Sequence, residues 1–153
     1  MPRMTAALAM LVAATALVAC SGGAEQVSPA EAETAAKLFS TPANDALALE
    51  MADFKFSNRA IGAKSGEVVE VALMNRGSIE HDFSIAKLPG EKAFRVEGKD
   101  TTLAVGRNEV HAHLKPGANG VLRFRVSAPG AYEFFCTVSG HKEAGMAGTL
   151  NVQ

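Results

Sequence analysis

The chain has 153 residues, which is enough for one domain with a hydrophobic core and too few for two domains of typical size. Apolar residues make up 48% of the composition and charged residues 20%, values that argue against a disordered chain. The formal net charge of −1 does not favour a nucleic-acid partner, because nucleic-acid-binding domains usually carry a basic stripe.

The N-terminal residues have the pattern of an export signal. A basic start, MPR, precedes the apolar run TAALAMLVAATALVA, which is too short for a stable membrane-spanning helix. The run ends in Leu17-Val18-Ala19-Cys20, which resembles the lipobox of bacterial lipoproteins. We therefore expect a lipoprotein signal peptide over residues 1–19, lipidation of Cys20, and an exported protein anchored to a membrane only by its acyl chains, facing the periplasm or the cell exterior. The alternative is a plain secretory signal in which Cys20 has no role.

Residues 20–45 are predicted to form a lipidated tether, because small and polar residues dominate this segment. Within it, Ser28-Pro29-Ala30-Glu31 is a capping-box pattern with proline at the first helical position, which predicts a short helix near residues 29 to 38. An isolated helix of that length is marginal in water, so it needs a surface to dock against.

From residue 46 to residue 153 the pattern is that of β-strands, and this range is predicted to form the one folded domain. Apolar residues alternate in short runs separated by turn signals, as in EVVEVALMN, EVHAHL, VLRFRV and AYEFFC. A change of parity between Met51 and Phe54 suggests a bulge near Ala52-Asp53. Residues 90–108 are loosely patterned. Seven or so short strands predict an all-β sandwich or barrel.

The loop CTVSGHKEAGM, between the last two predicted strands, places a cysteine, a histidine and a methionine five residues apart. If Cys20 carries lipid, Cys136 has no intramolecular disulfide partner, so its thiol is either buried and inert or reserved for chemistry. A second imidazole is available from His81, which follows a turn at the start of another strand. Two imidazoles and a thiolate with a weak thioether form the blue-copper ligand set, here His81, Cys136, His141 and Met146.

The run PGAYEFFCTVSGHKEAGMAGTLNV, together with DFKFSN and MNRGSIEHDFSI, resembles the cupredoxin family, in particular the auracyanin- and rusticyanin-like branch. The resemblance covers residues 47 to 153 and implies a Greek-key fold with one copper ion cycling between Cu(II) and Cu(I). It further implies that His81, Cys136 and His141 are the strong ligands and Met146 the axial one. Asp82 stands where relatives have asparagine, and we expect it to accept a hydrogen bond from the Thr137 region.

The other two histidines, His111 and His113, share one face of a predicted strand. We expect both to point outward, near Arg123 and Arg125 on the facing strand. A second copper site at this position is the alternative, which neighbouring cations would oppose.

The sequence does not favour an enzyme. Motifs such as Gly-x-Ser-x-Gly, His-Glu-x-x-His and the phosphate loop are absent. Cys136 and His141 could suggest a thiol nucleophile and its base, but they lack a third, orienting group. Multicopper oxidases resemble a cupredoxin domain repeated two or three times, and this chain has room for one.

The predicted function is single-electron transfer between extracytoplasmic redox partners, such as c-type cytochromes or a terminal reductase or oxidase, by a monomer with His141 as the electron-entry edge. The competing hypothesis is a lipoprotein that stores or delivers copper or confers copper resistance. A metal-free structural module is a third alternative, which the complete ligand set disfavours.

Overall fold

The computed structural model describes residues 28–97, 101–104 and 109–153. The predicted signal peptide, Cys20 and the first part of the predicted tether lie outside these ranges. In the described part of the chain, no helix combines the length and the apolar character needed to cross a membrane.

One helix, α1, precedes eleven strands in the described part of the chain. Helix α1 spans Pro29–Ser40. The strands are β1 (Asp45–Ala52), β2 (Lys55–Phe56), β3 (Ala60–Ala63), β4 (Val68–Asn75), β5 (His81–Ile85), β6 (Gly90–Glu97), β7 (Thr101–Ala104), β8 (Val110–Leu114), β9 (Asn119–Val126), β10 (Gly130–Phe135) and β11 (Ala147–Val152).

The strands form two mixed sheets that pack face to face, so the predicted all-β sandwich is confirmed. The five-stranded sheet has the order β2-β1-β4-β9-β6, and the six-stranded sheet has the order β3-β11-β10-β5-β8-β7. Strand β1 is parallel to β4 and β3 is parallel to β11, while the other pairs are antiparallel. Alternate residues of both sheets fill the core between them, where Phe83 and Phe134 stack with ring centroids 5.2 Å apart.

The predicted short helix is present and docked. Ser28 and Glu31 form both halves of the predicted capping box. Leu38 is fully buried and packs with Val68 and Ala93 on the outer face of the five-stranded sheet. The Arg123 guanidinium donates hydrogen bonds of 2.8 Å to the carbonyl oxygens of Leu38 and Thr41, which satisfies the end of the helix. Part of the predicted tether therefore packs against the sandwich.

The bulge predicted near Ala52-Asp53 is wrong, because the chain reverses there. Strands β1 and β2 form a hairpin in which Met51 pairs with Phe56 and Ala52 with Lys55, leaving Asp53 and Phe54 as a two-residue turn. Phe54, the second residue of the turn, has φ of 64°, a left-handed conformation that glycine or asparagine more often supplies at this position. The turn resets the alternation of inward and outward residues, and this reset produces the change of parity in the sequence.

The loosely patterned residues 90–108 contain two strands that the sequence did not predict. Strand β6 pairs along its whole length with β9, from Gly90 opposite Val126 to Glu97 opposite Asn119. Helix α1 covers the outer face of β6, where Ala93 is buried, while Phe94 packs toward the core from the other face. A strand covered on both sides lacks the simple alternation of a half-exposed strand.

The expected neighbourhood of His111 and His113 is also wrong in part. Both side chains point outward, as predicted, because the alternate residues of β8 are the buried ones. However, β8 pairs with β5 and β7, whereas β9 lies in the other sheet. Arg123 and Arg125 therefore lie on the opposite side of the molecule, where they pair with Glu70 and Glu91.

Candidate metal centre

Two neighbouring strands bring the predicted ligands to one rim of the sandwich. His81 is the first residue of β5, and Cys136 directly follows the last residue of β10. These strands are antiparallel neighbours in the six-stranded sheet, with Phe135 opposite Ser84, so the start of one lies beside the end of the other. His141 and Met146 belong to the loop that follows at the same rim. The structure thus places all four predicted ligands together.

The imidazole and thiol groups converge closely. His81 Nδ1 lies 3.2 Å from His141 Nδ1, and Cys136 Sγ lies 3.4 Å from His141 Nδ1. The three ligand atoms are all within 4.8 Å of one another. His81, Cys136 and His141 are exposed by only 0%, 1% and 4%, so the cluster is shielded from water.

The loop carrying Cys136, His141 and Met146 is held by its own backbone. The Cys136 amide donates to the Met146 carbonyl at 3.1 Å, and the Met146 amide donates to the His141 carbonyl at 2.9 Å. Gly140 and Gly145 adopt left-handed conformations, with φ of 80° and 99°, that let the loop turn twice within a few residues. Met146 is fully buried in the core beside Cys136.

Burial favours the neutral forms of Cys136 and His81. It raises the pKa of the Cys136 thiol, against the smaller opposing effect of hydrogen bonds from the Asp82 and Val138 amides. The Asp82 amide lies 3.2 Å from Cys136 Sγ. Burial also lowers the pKa of His81, so its imidazole is neutral at pH 7 and carries a lone pair for a metal.

Sequence reasoning missed Asp53, which orients His81. The Asp53 carboxylate accepts from Ser78 through the backbone amide at 2.9 Å and the hydroxyl at 2.7 Å, and these bonds lower the pKa of the Asp53 carboxyl. Its Oδ1 lies 3.3 Å from His81 Nε2. An ionised carboxylate at Nε2 favours the proton on that nitrogen and leaves Nδ1 free to bind metal. Asp53 lies in the β1–β2 turn, which the sequence pattern did not predict. Without that turn, nothing in the sequence places Asp53 near His81.

The segment between β4 and β5 closes tightly over His81. Asn75 is fully buried, and its side chain donates to the carbonyls of Ile79 and Leu114 and accepts from the Gly77 amide at 2.8 Å. A side-chain carbon at Gly77 would lie 2.5 Å from Asp53 Oδ1 and 2.6 Å from His81 Nε2. Only glycine fits there without displacing these groups.

Asp82 joins the two halves of the site from the other side. The Thr137 hydroxyl donates to the Asp82 carboxylate, which confirms the predicted contact between the strand of His81 and the loop of Cys136. The same carboxylate lies 2.6 Å from Nδ1 of His113, a partner that the sequence did not indicate. Asp82 is 3% exposed, and its buried carboxyl group has hydrogen-bond partners in both Thr137 and His113.

The donor set fits copper. A thiol and two imidazoles aim their ligand atoms at one small volume. Among the described residues, the two ring nitrogens His81 Nδ1 and His141 Nδ1 have only each other and the sulfur within hydrogen-bonding distance. Imidazole accepts both copper oxidation states, and a thiolate, together with the thioether of a methionine, favours Cu(I). His81, Cys136 and His141 are the residues that would hold the ion, with Met146 beside them.

Comparisons with known proteins agree with this chemistry. The sequence model of the family described as cupredoxin-like domain matches residues 7–152. The copper-resistant cuproprotein CopI of Rubrivivax gelatinosus is 29% identical over 99 residues, and that match spans 65% of this chain and 60% of the relative. Plastocyanin of Dryopteris crassirhizoma is 32% identical over 105 residues, spanning 68% of this chain and 93% of that protein.

The fold is also found among solved structures. The structure of dithionite-reduced auracyanin from Roseiflexus castenholzii has a TM-score of 0.56 and 22% identity, over 73% of this chain and 99% of that one. The family match covers nearly the whole chain, and the donors that copper requires meet at one rim of the described fold. The chain therefore belongs to the cupredoxin family, and copper is its cofactor.

Proposed function

We propose that this cupredoxin carries single electrons between redox partners outside the cytoplasm, with His81, Cys136, His141 and Met146 as the copper ligands. Copper bound there would supply a one-electron couple, Cu(II)/Cu(I). The observation that supports the proposal is that the proposed ligands are buried and held in place by hydrogen bonds from neighbouring residues. Asp53 fixes His81, Asp82 and Thr137 tie the two ligand segments together, and backbone bonds fix the loop. A site that changes little between oxidation states transfers electrons quickly, whereas copper delivery needs exposed ligands that exchange.

The rim beside His141 suits the docking of a partner. His141 is the most exposed of the four proposed ligands, at 4%, and the Phe54 ring lies edge-on to it with centroids 5.0 Å apart. Phe54 and Ile79 are exposed by 49% and 40% and flank the contact between Asp53 and Ser78. Lys142 is held by Glu133 at 2.7 Å. We propose a mainly apolar docking patch for a c-type cytochrome or a terminal reductase or oxidase.

Catalysis is not part of the proposed function. Cys136 is buried in the core, and among the residues that the structure describes, none is hydrogen-bonded to His141 as the orienting third group of a nucleophile and base would be.

Anchoring by lipid at Cys20 is the second part of the proposal, supported by the sequence Leu17-Val18-Ala19-Cys20. The full chain expressed in a bacterium should fractionate with membranes and yield an acylated N-terminal peptide by mass spectrometry. Cys20→Ser should move the protein to the soluble extracytoplasmic fraction. A wild-type protein that is soluble and unmodified would exclude the anchor.

Copper handling is a second candidate, favoured by the similarity to a copper-resistant cuproprotein. Deletion of the gene in the native cell separates the two roles, with respiratory electron flux and copper tolerance measured side by side. If the protein is an electron carrier, the deletion strain should show reduced respiratory electron flux at low copper. The wild-type gene should restore the flux, and the Cys136→Ser gene should not. Loss of copper tolerance with normal flux would support copper handling instead.

A further inference from the structure

A second group of metal-binding side chains lies on the outer face of the six-stranded sheet, next to the copper site. His111 and His113 project from β8, and Asp82 faces His113 from β5, with Glu80 just before that strand. The chain has four histidines, so both of those outside the first site are in this group.

His113 is already oriented as metal-binding histidines are. Its Nδ1 lies 2.6 Å from Asp82 Oδ1, and a carboxylate at one ring nitrogen fixes the proton there and leaves the lone pair on the other. That other nitrogen, Nε2, lies 3.5 Å from Glu80 Oε2. Two ligands of one tetrahedral zinc ion, with bonds of about 2.1 Å, lie about 3.4 Å apart. The imidazole and the carboxylate thus have the spacing of two ligands of one ion.

His111 can supply a third ligand. Residues two apart on a strand share a face, so His111 and His113 are neighbours on the surface of β8. The His111 side chain is 44% exposed, and its Nε2 lies 3.7 Å from Asp82 Oδ2, so binding the same ion as His113 Nε2 requires a change of the His111 rotamer. Imidazole and carboxylate together suit zinc and Cu(II).

The surroundings favour a cation. Arg123 and Arg125, which the sequence placed beside these histidines, lie in the other sheet and pair with carboxylates there. Glu80 and Asp82 bring negative charge instead. Ser84, opposite His111 and on the same face as Asp82, has a buried hydroxyl that makes no hydrogen bond within the described structure. A buried hydroxyl without a partner on this face leaves one polar group whose hydrogen-bonding capacity is unused.

We propose that His113 Nε2, Glu80 and His111 bind a divalent zinc or copper ion at a second site, separate from the buried copper site. This inference does not rest on the electron-transfer proposal. It assigns a role to the two histidines that the first site leaves unused, and it places an exposed, exchangeable metal site beside the buried one.

The test uses the full chain without added histidines, loaded with one equivalent of copper so that the first site is filled. Titration with Zn²⁺ in a calorimeter should show one further equivalent bound. Glu80→Gln and His111→Asn should each weaken Zn²⁺ binding by about tenfold or more, as expected when a ligand is lost. The side chains of His111 and Glu80 are 44% and 57% exposed, so these variants should fold. Glu33→Gln, on the exposed side of α1, is the matched control and should bind Zn²⁺ as the wild type does.

Absence of a second equivalent in the wild type would overturn the proposal. So would Zn²⁺ binding that is unchanged in the double variant His111→Asn, His113→Asn. The visible thiolate-to-copper band, recorded on the same samples, reports on the first site independently. A missing band would count against the blue-copper proposal, and a missing Zn²⁺ equivalent against this one.

Discussion

At the scale of single residues, two aspartates hold the proposed copper ligands from opposite sides. Asp53 orients His81 through Nε2, and Asp82 links the strand of His81 to the loop of Cys136. The contact between Asp82 and Thr137 was predictable, because the resemblance to other cupredoxins pointed to it. Asp53 was not predictable, because it is 28 residues from His81 and reaches it only through the fold.

Asp53→Asn should weaken copper binding while leaving the fold intact. The substitution keeps the size of the side chain and removes the charge that orients the His81 ring, and losses of this kind cost about 10- to 100-fold in metal affinity. Competition with a copper chelator measures the change. Asp45→Asn, an exposed carboxylate at the other end of β1, is the control and should keep wild-type affinity. Equal affinities for the two variants would show that Asp53 does not support the site.

Copper affinity should rise with pH. The bound form needs the Cys136 thiolate, and burial raises the pKa of the free thiol, so copper must displace a proton below that raised pKa. His81, whose pKa is lowered, does not compete for protons near neutral pH. The apparent affinity for Cu(I) should therefore increase about tenfold per pH unit between pH 7 and 8. Affinity that is constant across this range would mean that the thiol is already ionised.

At the scale of elements, helix α1 and strand β6 support each other on the outer face of the five-stranded sheet. The capping box made the helix predictable, since that signal is local to Ser28 and Glu31. Strand β6 was not predictable, because its partner β9 and its cover α1 lie far away in the sequence. The Asp53-Phe54 turn was not predictable either, because phenylalanine rarely adopts the left-handed conformation that it has in this turn.

Leu38→Ala should show that the helix is part of the fold. Leu38 is fully buried, and removing such a side chain costs about 2 to 5 kcal/mol. Unfolding in urea, followed by circular dichroism, gives the change, and the copper band should be unaltered because the helix lies on the sheet away from the ligand rim. Glu33→Ala on the exposed side of α1 should change stability by less than about 0.5 kcal/mol. A Leu38→Ala protein as stable as this control would mean that the helix is not docked.

At the scale of the whole molecule, the sandwich brings together the proposed ligands His81, Cys136 and His141 from distant positions in the sequence. The all-β sandwich was predictable from short-range patterns of alternation, and the residues proposed as ligands were chosen from their spacing. The order of strands was not predictable, because the sequence suggested that β8 and β9 face each other as neighbours, whereas they lie in different sheets. Local alternation records which residues are buried but not which strand lies beside them. The misplaced surroundings of His111 and His113 follow from this limit.

The most direct test of the account is the visible absorption spectrum of the full chain after addition of one equivalent of Cu(II). A thiolate held with two imidazoles on copper should give an intense thiolate-to-copper band, and Cys136→Ser should abolish it while far-ultraviolet circular dichroism stays that of a β-protein. A folded wild-type protein without this band, or a Cys136→Ser variant that keeps it, would contradict the assignment of the blue-copper site.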